Sequence, residues 1–221
     1  MTAPGRTHPA RGRCGRDRLP SRPSIRLAVW LYMALALAVH GHTAAAEGGH
    51  GPLPPLQLSE EVVRYEVEGG DIDDLREQLR RHLLAEESGG SHGRTRSRIE
   101  LRYGLDGNDG GCRLVDPGIR MTITTTLPEW LPETGVSPRL QVRWSRVMQA
   151  LRKHEGVHRD HALAAARDLQ ASLGRLGAMP DCRALRRAVD RAVLRATMKC
   201  EFRDAMYDSR TRNGLDQGTL L

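Results

Sequence analysis

Residues 137–176 read SPRLQVRWSRVMQALRKHEGVHRDHALAAARDLQASLGRL, forty positions with no proline after Pro138. Apolar residues recur at three- and four-residue spacing through Val142, Val147, Leu151, Val157, Leu163, Leu169 and Leu173. That is the period of a long helix with one buried stripe. Ser137 is suited to cap its start and Pro138 to fill its first position. Gly174 and Gly177 mark its end.

Inside this helix stand His154, Glu155, Gly156, Val157 and His158, an HExxH pattern. Histidines four apart lie on one helix face, one turn above each other, so their imidazoles can share one Zn²⁺. The glutamate between them can reach a metal-bound water as general base. No other segment of the chain names a reaction.

The formal charge of +7 invites a nucleic-acid reading, but its distribution argues against one. Residues 1–26 carry seven Arg and one Asp, and residues 27–46 carry no charge, which leaves +1 for residues 47–221. The basic stretch, the apolar run Leu27–Val39 and the small residues Ala44-Ala45-Ala46 are the three parts of a secretory signal over residues 1–46. Thirteen apolar residues are too few to span a bilayer. The expected product is a secreted or periplasmic protein beginning at Glu47, with no membrane contact after cleavage and no nucleic-acid partner. Residues 47–56, rich in Gly and Pro, read as a flexible terminus, and 57–221 as one domain.

Cys14 is assigned to the leader, leaving Cys112, Cys182 and Cys200. An exported chain permits disulfides. Cys182 and Cys200 share one helical pattern about 27 Å apart at the helical rise, so they cannot pair. Cys112 with either of them is expected, with one thiol left over.

Upstream, Val62–Val67 reads as a strand, and Asp71 as the cap of a short helix to about Leu84. Ser97–Leu105 is a half-buried strand. Cys112–Val115 and Ile119–Leu127 are two strands around Asp116-Pro117-Gly118, closed by Leu127-Pro128-Glu129-Trp130-Leu131-Pro132. Beyond the long helix, Asp181 caps a second one to about Tyr207. The expected class is α+β: a small antiparallel sheet and a short helix, then a long antiparallel helical hairpin carrying the HExxH.

A catalytic zinc needs a third protein ligand. Reflecting one long helix onto the other about residue 178 places His154 opposite residue 202 and His158 opposite residue 198. Glu201 falls in that window, and Asp204 and Asp208 continue its face. His161 shares the face of the motif histidines but lies about 10 Å along the axis from His154, too far to share their ion.

Taken together, Tyr65, Val67 and Gly69, then Cys112, Leu127-Pro128-Glu129-Trp130, Trp144, the HExxH, Cys182, and the tail Tyr207-Asp208-Ser209-Arg210-Thr211-Arg212-Asn213-Gly214 with Gln217-Gly218, resemble a family of bacterial secreted zinc-dependent proteases. The likeness runs from about Tyr65 to Gly218 and implies a zincin-like fold, a zinc cofactor and a peptide or protein substrate. Asp208 matches that family's Tyr-Asp. Asn213 departs from it, standing where the family has His, and an amide is a poor zinc ligand.

The expected activity is a zinc metallopeptidase. His154, His158 and Asp208 or Glu201 bind Zn²⁺, Glu155 is the base, and Tyr207 or Arg212 stabilises the oxyanion. Met121–Thr126 is a candidate to align an extended peptide by β-addition. The alternative, motivated by Asn213, is a non-catalytic exported zinc-binding or envelope-interaction domain.

Overall fold

A computed structural model describes residues 8–14, 53–85 and 91–221. It is a mixed α/β protein, with a four-stranded sheet and three helices. The elements are β1 (His8–Cys14), β2 (Leu56–Gly69), α1 (Ile72–Ala85), β3 (Arg94–Asn108), β4 (Gly111–Pro132), α2 (Pro138–Gly174) and α3 (Cys182–Thr211). A 3₁₀ turn, Leu215–Gln217, follows α3.

The local signals at the helix starts act as their chemistry requires. The Ser137 hydroxyl accepts from the Leu140 amide at 3.3 Å, with Pro138 behind it. Asp181 accepts from Ala184 at 2.7 Å, and Asp71 accepts from Asp73 and Asp74 at 2.8 and 3.0 Å. Each side chain satisfies an amide that the first helical turn leaves without a partner.

The sheet order is β1-β3-β4-β2. Strand β3 is antiparallel to β1 and β4, but β2 runs parallel to β4. The sheet is therefore mixed, not antiparallel as expected, because α1 and β3 intervene between β2 and β4 and bring the chain back in the same direction. On one face Ile99, Leu101, Ile119, Met121 and Ile123 are buried. Ala162, Ala165, Ala166 and Leu169 of α2 and Val189, Ala192, Val193 and Ala196 of α3 pack on them. Alanines at these contacts let both helices sit close to the sheet. The alternate residues Arg96, Arg98, Glu100, Arg120, Thr122 and Thr124 line the other, open face. A smaller cluster joins Leu75 and Leu79 of α1 to Leu140 and Val147 of α2, with Val67 and Leu221.

Four other expectations are corrected. Cys112–Val115 and Ile119–Leu127 are one strand, β4. It takes three steps from Val115 to Gly118 where β3 takes two from Gly104 to Arg102, so Asp116-Pro117-Gly118 is a bulge, with Asp116 at φ 45°. Leu127-Pro128 does not close the strand, which continues along β2 to Pro132. The pairing with β3 stops at Thr126, so Pro128 lacks an amide only on an unpaired side. Met121–Thr126 lies between β3 and β2 with both sides bonded, so it has no free edge to receive a peptide. Residues 53–56 are not a loose terminus: Pro54 accepts from Gln170, Pro55 accepts from Ile119, and Leu56 opens β2.

Cys112 pairs with Cys182, one of the two expected partners. Reciprocal backbone bonds between Cys112 and Met179, at 2.7 and 2.9 Å, add to that tie between β4 and the α2–α3 connection. The expected spare thiol is absent, because Cys14, assigned to the leader, is bonded to Cys200 across a Cα separation of 5.9 Å. Strand β1 thus lies within the stretch read as the leader's basic part. The apolar run 27–39, Ala44-Ala45-Ala46 and residues 47–52 lie outside the described residues. Two disulfides are compatible with an exported protein. Among the described residues no helix is long and apolar enough to cross a membrane.

Candidate metal centre and adjoining groove

Helices α2 and α3 lie side by side with their contacts running in opposite directions. Asp168 meets Lys199, His158 meets Asp204, and His154 meets Asp208. This register carries carboxylates to the level of the motif histidines. His154 is 1% exposed, and the side chains of His158 and Asp208 are 11% and 12% exposed.

Three atoms converge there. His154 Nε2 is 3.3 Å from His158 Nε2 and 3.3 Å from Asp208 Oδ1, and His158 Nε2 is 3.1 Å from the same oxygen. A tetrahedral ion with bonds of about 2.0 Å to nitrogen and oxygen has ligand–ligand edges of about 3.3 Å. The triangle therefore has the size of one face of such a tetrahedron. These three residues could hold a metal ion, with the fourth position left over for water.

The other ring nitrogens are held as well. Gln217 Oε1 accepts from His154 Nδ1 at 2.9 Å, and Asp204 Oδ1 accepts from His158 Nδ1 at 3.0 Å. Each acceptor fixes the proton on Nδ1 and leaves the Nε2 lone pair facing the centre. Asp204 Oδ1 is also 2.7 Å from His161 Nδ1, so His161 supports the acid that orients His158. Burial disfavours charge on His158, but bonds to Asp204 and Asp208 and the pull of Asp204 and Glu155 outweigh it, raising its pKa to about 10, so an ion bound at the centre would take the place of the Nε2 proton.

The tail that delivers Gln217 depends on backbone geometry. Arg212, Asn213 and Gly214 have φ of 51°, 55° and 85°, three left-handed residues that reverse the chain after α3. A Cβ at Gly214 would sit 2.8 Å from Thr219 and 3.2 Å from His154 Nδ1, so only glycine lets the tail close over that ring. Asn213 thus occupies a conformation that asparagine tolerates better than most residues.

Glu155 is 3% exposed, and its Oε2 has no hydrogen-bond partner among the described residues. Burial raises its pKa against the attraction of His158 and His154. Gly93, just before β3, approaches it closely: a Cβ there would lie 3.0 Å from Glu155 Oε1.

The other expected site residues fall elsewhere. Glu201 is exposed, two turns before Asp208 on α3, and is not part of the cluster. Tyr207 stacks on His154 with ring centroids 4.9 Å apart, and its hydroxyl bonds with Gln217 at 3.0 and 3.2 Å. It packs and orients the imidazole from the side. Arg212 points outward and pairs with Asp216. Gln217 is the contact that residue-by-residue reading missed; its only signal is its place in the Gln-Gly that ends the tail motif.

On the neighbouring face of α2, Trp144, Met148, Arg152, Gly156 and Arg159 follow one another at helical spacing. With Glu155, Leu127, Trp130, Arg64 and Glu129 they line a groove of about 480 Å³. Trp130 donates to the Gly69 carbonyl at 3.0 Å and packs against Trp144.

Residues 62–214 match a family described as a bacterial protein of unknown function, DUF922. The chain belongs to this family. No curated protein and no solved structure matches it. The DUF922 region contains the HExxH, Asp204 and Asp208 but stops before Gln217, and β1 lies outside it. The likeness to secreted proteases thus narrows to membership of a bacterial family whose function is unknown.

Proposed function

We propose that this chain is an exported zinc metallopeptidase, with a zincin-like helix pair in α2 and α3. His154, His158 and Asp208 are its zinc ligands and Glu155 its general base. The observation that carries the reading is the triangle of His154 Nε2, His158 Nε2 and Asp208 Oδ1, with edges of 3.1 to 3.3 Å. Two oriented imidazoles and one carboxylate form a donor set that suits zinc. A zinc ion bound there would acidify a water and polarise a substrate carbonyl.

The chain's own residues do the rest. Gln217 and Asp204 keep both imidazoles turned with Nε2 inward. Glu155 follows His154 on the same helix and bears an oxygen without a partner among the described residues, so it takes the proton from the attacking water and returns it to the leaving amine. Asn213 is not needed as a ligand, because Asp208 fills that role.

Zinc content and peptidase activity of the purified chain test this, with Glu155→Gln alongside. One zinc per chain and activity lost in the variant are expected. Zinc without activity in either protein would leave a non-catalytic zinc-binding domain, and absence of zinc would remove both readings.

A further inference from the structure

We infer that the groove beside Glu155 binds an acidic peptide segment through one bulky apolar side chain and a neighbouring carboxylate. This rests on the metallopeptidase reading and names its substrate class. Three observations carry it.

The first is charge. From Pro138 to Arg159, α2 holds Arg139, Arg143, Arg146, Arg152, Lys153 and Arg159, against a single acid, Glu155, which is buried. A helix N-terminal half ordinarily favours acids. Here the helix dipole and six cations add in the same direction. Arg159 is held by Glu60 at 2.9 Å, and Arg64 leans on Glu129 at 3.8 Å. Among the described residues no carboxylate pairs with Arg139, Arg143, Arg146, Arg152 or Lys153. Arg152 is the one of these that lines the groove.

The second is shape. A volume near 480 Å³ falls in the range of ligand sites. Trp130, Trp144, Leu127 and Met148 give it an apolar wall fitted to a large side chain.

The third is Gly156. Glycine inside a helix weakens it relative to alanine. Among the described residues a Cβ at Gly156 would meet nothing within 4 Å, so their packing does not require the glycine. Its missing side chain keeps the groove open beside Glu155, between Arg152 one turn before it and Arg159 one turn after.

The test uses the full zinc-loaded chain carrying Glu155→Gln, so that bound peptide is not consumed, and reads tryptophan fluorescence. The probes are a heptapeptide with a central Phe flanked by Glu, and the same peptide flanked by Lys. Saturable binding of the acidic peptide is expected, with the Lys peptide at least about tenfold weaker. Arg152→Glu, at an exposed position, weakens the acidic peptide by about tenfold. Gly156→Leu abolishes binding while the melting temperature stays level or rises. Equal binding of both peptides, no binding of either, or indifference to both substitutions overturns the inference. Hydrolysis by the unsubstituted chain separates the two claims. Cleavage without acidic preference removes the inference and keeps the peptidase. Selective acidic binding without cleavage of any peptide keeps the groove and removes the peptidase.

Discussion

The two faces of α2 that meet at Glu155 have opposite characters. On one, His154, His158 and His161 face α3 and the tail, and each ring nitrogen given a partner is held by Gln217, Asp204 or Asp208. On the other, Arg152 and Gly156 face a groove where, among the described residues, no carboxylate pairs with Arg152 and no atom lies within 4 Å of a Cβ at Gly156. On the closed face acceptors hold the Nδ1 atoms of all three histidines, as a pre-organised binding centre requires. The open face leaves cationic and apolar surface uncovered, as a recognition surface does. Glu155 is the residue common to both.

Substitutions separate these faces. Glu155→Gln should lower peptidase activity by about 10²- to 10⁴-fold while zinc stays bound. Stopped assays with metal analysis on the same sample check this, and lost zinc would make Glu155 a structural member of the closed face instead. Leu169→Ala, in the core below the site, should cost about 2–5 kcal/mol of stability, read by denaturant unfolding, with zinc stoichiometry unchanged. Gln217→Ala and Asp204→Asn should each weaken zinc binding by about 10- to 100-fold, measured by competition with a chelator. An unchanged affinity would show that the imidazoles need no outer support. Glu201→Ala should change neither zinc affinity nor stability beyond about 0.5 kcal/mol, as for an exposed carboxylate.

Cys14 divides two forms of the chain. The full chain should show no free thiol when unfolded without reductant, and a chain beginning at Glu47 should show one, Cys200. A thiol count on the protein isolated from its host tells which form the organism keeps.

Helix α2 and its motif were legible in the sequence because their signals are local: a Ser-Pro start, an apolar period and histidines one turn apart. The acid facing His154 was legible only to within two turns. The pairs His154–Asp208 and His158–Asp204 are both centred on residue 181, not 178. The non-helical connection runs to the Asp181 cap, so the centre shifts by three residues and the facing position by six, from the Glu201 window to Asp208. Sheet order was not legible, because the parallel pairing of β2 with β4 is decided by packing across α1 and β3. Nor was Gln217, whose approach to His154 depends on three consecutive left-handed residues. The Cys14–Cys200 bond was hidden by the leader-like composition around it.

The most direct test is the zinc stoichiometry of the purified chain beside its Asp208→Ala and Glu201→Ala forms, by native mass spectrometry. One zinc in the unsubstituted chain and in Glu201→Ala, and a loss of zinc in Asp208→Ala, is the expected result. Full zinc in Asp208→Ala, or none in the unsubstituted chain, would contradict the assignment of His154, His158 and Asp208 as one metal centre.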